Sequence, residues 1–216
     1  SLVLDSGEDL ILTSAPQAGI NTATWSGTSS GGGNLILTER TRLRMSSNQG
    51  YTGRTDVSGA SSLILNYSGA GVNNIIPGEL RLAGANLFLE GGSASTVVET
   101  VSATRLGTGL NTISAATGMG GRINLGVITR GPSSFSVESG SVLQVHGNSA
   151  ATQTLNDDAY IAGTMGGHAT FGNGHDITTW AVGSTDGLLT NITGLPDTAY
   201  EPAGGMAQGG HTNVLG

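Results

Sequence analysis

Short apolar segments recur along the chain, separated by turns rich in Gly, Ser, Thr and Asn. The clearest are Leu2–Leu4, Leu10–Leu12, Leu35–Leu37 and Leu63–Leu65. Short runs bounded by such turns are typical of β-strands, and no long window has apolar residues at helical spacing. The pattern therefore predicts an all-β chain with little or no helix.

The ends of these segments recur at nearly constant intervals along the chain. They are Leu12, Leu37, Leu65, Leu89, Ile113, Val137 and Ile161. A period of this length indicates a solenoid, whereas a sandwich would need many tight hairpin turns of the kind that Asn173-Gly174 offers. We therefore predict a parallel β-helix (β-solenoid) of about 8–9 coils that spans residues 1–216 as a single domain.

The segment 39–45 alternates strictly between charged and apolar residues. Its arginines, Arg40, Arg42 and Arg44, fall on one side, and Leu43 and Met45 fall on the other. A period of two residues is that of a strand with one buried and one solvated face. The pattern predicts a single strand that presents a stripe of three guanidinium groups.

This arginine stripe is the strongest local charge signal, and we predict Arg40, Arg42 and Arg44 as a candidate interaction surface. Guanidinium groups bind carboxylates and other anions through two parallel hydrogen bonds, which suits an anionic glycan or an acidic protein surface. The alternative is a solvated face that pairs with acids of neighbouring coils, namely Glu39, Asp56 or Glu79.

Charge divides the chain into two unequal parts. Residues 1–130 contain all eight arginines and eight acids, and residues 131–216 contain seven acids and no basic residue. We expect the acidic part to be less regular, and the lack of a concentrated basic surface argues against nucleic acid as a partner. The sequence has no Cys and no Lys, and no apolar run is long enough to span a bilayer. It has the character of a segment of a longer chain.

Motifs that could carry catalysis are isolated. The segment Gly27–Gly31 matches G-x-S-x-G, but that motif works on a strand-to-helix turn beside a His and an acid. The segment 171–176 resembles half of a calcium-binding nonapeptide, in a single copy. We therefore predict no catalytic residue, no metal site and no cofactor.

The alternative function is a glycan-binding or polysaccharide-degrading β-helix. Such a protein needs carboxylates, and often aromatic rings, along one lateral face. The candidates are Glu138, Asp158, Asp176 and Trp180. Dispersal of these residues would remove the alternative.

Three segments resemble the autotransporter-associated β-strand repeat proteins, which are large bacterial surface proteins. They are Tyr51–Gly59 followed by Leu63–Leu65, then Arg122–Arg130, and then the stretch from Tyr160 to Val182. The resemblance implies a right-handed parallel β-helix displayed outside the cell and implies no enzymatic activity. The repeat is clear only once here, whereas such proteins carry it in tandem.

These observations predict a non-enzymatic extracellular structural protein: a surface stalk, an adhesin or a self-assembling fibre segment. The uneven charge predicts head-to-tail contact between copies, with the N-terminal part of one copy against the acidic part of the next, and salt should weaken it. Contact with a cell surface or a glycan is the other partner we expect.

Overall fold

A computed structural model describes residues 1–14, 22–69, 71–91, 98–116, 122–130, 140–146, 152–154, 169–172, 177–186 and 189–194. Every regular element in these ranges is a β-strand, and no helix occurs among them. The prediction of an all-β parallel solenoid is confirmed.

The chain winds through up to three strands per coil, and each strand pairs in parallel with its counterpart in the next coil. The first face is formed by β1 Leu2–Leu4, β4 Ser29–Gly31 and β7 Gly50–Tyr51, and later by β12 Val98–Thr100, β15 Arg122–Asn124 and β18 Thr152–Thr154. The second face is formed by β2 Asp9–Thr13, β5 Asn34–Thr38, β8 Thr55–Ser58, β10 Glu79–Ala83, β13 Ala103–Leu106 and β16 Val127–Arg130. The third face is formed by β3 Thr22–Trp25, β6 Arg42–Met45, β9 Ser62–Asn66, β11 Asn86–Glu90, β14 Gly109–Ala115, β17 Ser141–His146 and β19 Ala169–Gly172.

The number of coils is smaller than predicted. Among the described residues the second face has six strands and therefore about five coil-to-coil turns, rather than 8–9. One reason is that the parallel stacking ends at the antiparallel strands β20 and β21, whereas the prediction extended it through residues 1–216. The apparent period also did not match the coils, because Leu37 pairs with Val57 and Leu65 pairs with Met45. Leu37 and Leu65 belong to different faces, so part of the apparent period joined strands that do not stack.

Stacked aliphatic side chains fill the interior. On the third face the register places Leu43, Leu63 and Leu87 in one column, and all three are buried. A fully buried Leu contributes about 1.5–3 kcal/mol relative to an exposed one, so each column is a main source of stability. The alternation along each strand keeps these columns inside.

The Tyr51–Gly59 coil shows what its residue types do. Tyr51 is buried, and its hydroxyl hydrogen bonds to the buried Thr55. At Gly53 the chain approaches the backbone of Gly33 so closely that no Cβ fits, and Gly59 turns the corner with φ 62°. Each residue type of the motif therefore meets a packing requirement of one coil.

One coil lacks a strand on the first face. The loop 67–78, described except for residue 70, lies between β9 and β10, where the other early coils place a first-face strand. Its two isoleucines, Ile75 and Ile76, are buried in the common core. The loop therefore fills the interior but cannot continue the parallel ladder.

The last described strands reverse the winding. β20 Ile177–Asp186 and β21 Leu189–Gly194 pair with each other in antiparallel fashion. β20 also pairs with β19, and β21 pairs with β18, both antiparallel. The connection from β19 to β20 contains Asn173-Gly174, the hairpin signal named above, although residues 173–176 lie outside the described part. This hairpin ends the parallel stacking.

Candidate interaction surface

The predicted arginine stripe is divided between a strand and a turn. Arg42 and Arg44 lie on β6, and Leu43 and Met45 between them point into the core, as the alternation predicts. Arg40 is not part of this strand: it lies in the preceding turn with φ 61°. The strand begins later than predicted because Glu39 and Arg40 both adopt left-handed backbone conformations to turn the corner.

Arg44 is engaged within the protein. Its Nε lies 2.5 Å from Oε1 of Glu90, although the two groups do not have hydrogen-bond geometry. The register places Ile64 directly next to Arg44 on the outer side of the sheet, and Ile64 is only 4% exposed. Glu90 lies two coils away from Arg44, so the arginine side chain must span the intervening strand β9 to reach it. Arg44 is thus paired within the stack and is not a free cation.

Arg42 is exposed, and no ion pair joins it to an acid in the described part of the chain. In register with it lie Ser62, Asn86 and Thr112, one on each following coil. Asn86 Nδ2 donates to Ser62 Oγ (3.4 Å), and Thr112 Oγ1 is hydrogen bonded to Asn86 Oδ1. Arg42 therefore belongs to a polar ladder on the third face, between Thr22 of the preceding coil and Ser62 of the next.

The acids that were alternative partners for the stripe pair with other arginines. Asp56 accepts a hydrogen bond from Arg54 Nε at 2.9 Å, and Glu79 Oε1 lies 2.8 Å from Arg105 Nε. Both pairs are on the second face, so the third-face arginines cannot use them. The Arg105–Glu79 pair is the more exposed, and such a pair contributes about 0–1 kcal/mol.

The G-x-S-x-G segment is structural. Its central Ser29 lies on β4, is 4% exposed, and its hydroxyl donates to Gln49 Oε1 at 2.6 Å. Gln49 Nε2 in turn donates to the carbonyl oxygens of Gly27 and Ser47. The serine therefore joins two coils, and no helix follows it in the described residues.

Most residues of the glycan-degrading alternative lie outside the described ranges. This applies to Glu138, Asp158 and Asp176, and to the histidines at 168, 175 and 211. Trp180 lies on β20, where its backbone pairs with Thr170. Within the described residues, no group of three acids or histidines is close enough to hold a metal ion.

The most elaborate polar cluster is one that the sequence did not predict. Glu99, on β12, is completely buried. Its Oε2 accepts hydrogen bonds from the Ile75 N–H (2.6 Å) and the Tyr67 hydroxyl (3.0 Å), and its Oε1 accepts one from the Ile76 N–H (2.9 Å). The carboxylate of Glu99 therefore accepts hydrogen bonds from the loop 67–78. In a complete coil, the carbonyl groups of a neighbouring strand would be the acceptors. The only sequence signal is a lone acid inside the apolar run Val97–Val101.

Burial dominates the electrostatics of this cluster. It raises the pKa of Glu99 above its usual range, although the three donated hydrogen bonds favour the carboxylate and oppose the shift. Burial also raises the pKa of Tyr67 and of nearby Tyr51, and the negative charge of Glu99 acts in the same direction. Both phenols therefore stay protonated, and Tyr67 keeps its donor role at physiological pH.

Opposite to Glu99, a second side chain fastens the loop from the preceding coil. Asn48 Oδ1 accepts hydrogen bonds from the Asn73 and Asn74 N–H groups, at 2.9 and 3.1 Å. Its Nδ2 donates to the Gly71 carbonyl oxygen at 3.0 Å. The loop is thus held from both neighbouring coils, which maintains the stack where a strand is missing.

Comparison with protein-family models, with curated proteins and with solved structures finds no match for this chain. The resemblance to autotransporter-associated repeat proteins therefore stays a prediction. In the described part of the chain, no helix is long and apolar enough to cross a membrane.

Proposed function

We propose that this chain is a non-enzymatic extracellular structural protein, a β-solenoid segment that acts as a rigid surface stalk. The observation that carries the proposal is the Glu99 cluster: a buried carboxylate whose two oxygens accept three hydrogen bonds from one loop. Ser29 and Gln49 likewise use their polar atoms to join successive coils. The polar groups of the interior thus serve to hold coils together. The extracellular location rests on the resemblance of Tyr51–Gly59 and the segments that follow it.

A rigid stalk holds the two ends of its coil stack at a fixed separation. Spin labels on Ile11→Cys and Val127→Cys, in a chain that has no native cysteine, would report the distance between β2 and β16. Five steps of about 4.8 Å predict a narrow distribution that corresponds to about 24 Å along the axis. A broad distribution, or one that changes when glycans are added, would contradict a rigid spacer.

Head-to-tail contact between copies stays a prediction. Two features of the chain do not favour it. The segment 1–39 carries Asp5, Glu8, Asp9 and Glu39 but no basic residue, so the N-terminal end of the stack is acidic, like residues 131–216. The arginines all lie between residues 40 and 130. In addition, β20 and β21 occupy the edges of β19 and β18, so that of the last described strands of the three faces only β16 has a neighbour on one side alone.

Glycan contact is a second candidate function, and exposed Arg42 within its polar ladder favours it. We expect a sulfated polysaccharide to bind the third face, and Arg42→Ala to weaken binding severalfold because it removes the guanidinium group. Arg81→Ala is the matched control, since Arg81 is also exposed but lies on the second face. Equal losses in the two variants, measured by isothermal titration calorimetry, would indicate non-specific attraction and contradict a site.

A further inference from the structure

The corner between the second and third faces has the same backbone shape in two successive coils. Glu39 and Arg40 form it in one coil, with φ of 56° and 61°, and Gly59 and Ala60 form it in the next, with φ of 62° and 60°. The strand register on both sides of the corner places Glu39 next to Gly59 and Arg40 next to Ala60. Left-handed backbone is unfavourable for a residue with a Cβ and costs Gly little. The coil with Glu39 and Arg40 therefore has the more strained form of a shared turn.

Both neighbouring coils hold this turn in place. The Arg40 N–H donates to the Gly59 carbonyl oxygen at 2.9 Å, and the Thr41 N–H donates to Ser61 Oγ at 3.1 Å. Towards the preceding coil, Thr41 Oγ1 donates to the Leu12 carbonyl oxygen at 3.1 Å. Strain of this kind persists only where the surroundings determine the conformation, and it is concentrated at functional sites. The backbone bonds thus demand a left-handed turn, but they make no use of the Arg40 side chain.

The side chains of the turn do not offset its strain. Glu39 and Arg40 are both exposed, and within the described residues neither side chain forms an ion pair or a hydrogen bond. Arg42, two residues further along the chain, is exposed in the same way. Three charged groups therefore lie close together on one corner of the stack, and all three are accessible to a ligand.

We propose that Glu39, Arg40 and Arg42 form one binding site for an anionic sugar chain. This inference rests on the glycan contact proposed above for Arg42, and it adds the two residues of the turn to that contact. The two guanidinium groups bind sulfate or carboxylate groups through parallel hydrogen bonds. The Glu39 carboxylate, which can only accept hydrogen bonds when ionised, binds hydroxyl groups of the sugar.

The carboxylate of Glu39 determines which class of anion suits the site. A polyphosphate offers negatively charged oxygens and almost no hydroxyl donors, so Glu39 would repel it. A partly sulfated polysaccharide presents anionic groups and hydroxyl groups along the same chain, and it can therefore satisfy the arginines and the carboxylate together. Arg44 is not part of this site because its guanidinium group is paired with Glu90.

The first test compares stability and binding in one variant. Arg40→Gly should raise the urea midpoint of unfolding because Gly adopts positive φ without strain. The same variant should weaken the binding of chondroitin sulfate, measured by isothermal titration calorimetry, at least about threefold because a charged hydrogen-bond donor is lost. Opposite changes in stability and binding are expected of a strained binding site.

Ala60→Gly is the matched control for this variant. Ala60 is exposed and has almost the same φ as Arg40, one coil further along the stack. Its replacement should raise the urea midpoint and leave the affinity for chondroitin sulfate unchanged. An Arg40→Gly variant that binds as tightly as the natural chain would overturn the proposed site.

The second test separates a sugar chain from a simple polyanion. Glu39→Gly should weaken the binding of chondroitin sulfate severalfold, because the acceptor for hydroxyl groups is lost, and should strengthen the binding of inorganic polyphosphate, because the repulsion is lost. Tighter binding of both ligands would show that the corner responds to charge alone, and the sugar assignment would then be wrong.

The same measurements distinguish this inference from the proposals on which it rests. Weaker binding in Arg42→Ala together with unchanged binding in Arg40→Gly would overturn the corner site and leave the glycan contact of the third face intact. A natural chain that does not bind chondroitin sulfate would overturn both. The rigid-stalk proposal is tested independently by the distance between the spin labels.

Discussion

Replacement of Glu99 by Leu is expected to lower the free energy of unfolding by at least about 3 kcal/mol. The substitution leaves the Tyr67 hydroxyl and the Ile75 and Ile76 N–H groups buried without an acceptor, at about 1–3 kcal/mol each. Urea denaturation followed by far-UV circular dichroism measures the change. The loop 67–78 should lose its protection against hydrogen exchange before the rest of the stack does.

The matched control for this substitution is Glu79→Leu. Glu79 also pairs with a neighbouring coil, but its partner Arg105 is 47% exposed, so the loss should stay below about 1 kcal/mol. Equal effects of the two substitutions would show that the buried cluster has no special role in stability.

A pH series separates the charge of Glu99 from its shape. Burial raises the folded-state pKa of Glu99 above its value in the unfolded chain. Its contribution to stability is therefore complete below the unfolded-state pKa and is lost as the pH rises through the folded-state pKa. Glu99→Gln keeps the shape and removes this titration, so the decline with rising pH should become flatter. A decline of unchanged slope in Glu99→Gln would assign the pH dependence to other groups.

Replacement of Gly53 by Ala is expected to cost about 3 kcal/mol, near the upper end of the usual 1–3 kcal/mol for overpacking. A Cβ at this position would lie 2.6 Å from the Gly33 carbonyl carbon and 2.7 Å from Asn34 Oδ1. On the other side, a Cβ on Gly78 would lie 2.5 Å from the Gly53 carbonyl oxygen, so the coils meet backbone to backbone. Because backbone atoms cannot rotate away, the coils must separate.

The control for Gly53 is Gly27→Ala. A Cβ on Gly27, which is exposed, would meet only the Trp25 ring, at 3.6 Å. That is ordinary contact, and we expect a change within about 0.5 kcal/mol in the same denaturation experiment. A Gly53 variant as stable as the Gly27 variant would show that the coils are not held at this spacing.

Local patterns in the sequence were sufficient to predict the class of fold. The alternation around Leu43 and Met45 predicts their burial, because a strand places neighbouring side chains on opposite faces regardless of what lies further away. Apolar triplets between turn residues likewise predict β2, β5 and β9, which the structure contains. The near-identity of Asp9–Thr13 and Asn34–Thr38 is visible in the sequence, and the two strands do stack in register.

The candidate site was harder to predict because it depends on which coils are neighbours. From the sequence, several acids were possible partners for Arg44. Its partner in the structure is Glu90, two coils away. Only the register between β6, β9 and β11 brings these two residues close. Arg40 fits the alternation but lies in a turn, because corner geometry overrides strand periodicity. The predicted number of coils was too large because the antiparallel pairing of β20 and β21, which ends the parallel stack in the described residues, is a contact between segments that the spacing does not reveal.

By itself, then, the sequence determined that the chain forms stacked short strands around an aliphatic interior, because period-two alternation and turn residues act locally. Only the tertiary structure decided that a loop replaces a strand beside β12 and that Glu99 holds it there. It alone also decided that the hairpin β20–β21 covers the outer edges of β18 and β19. Both features depend on which backbone groups lack a neighbouring strand, and that follows from the register of distant segments.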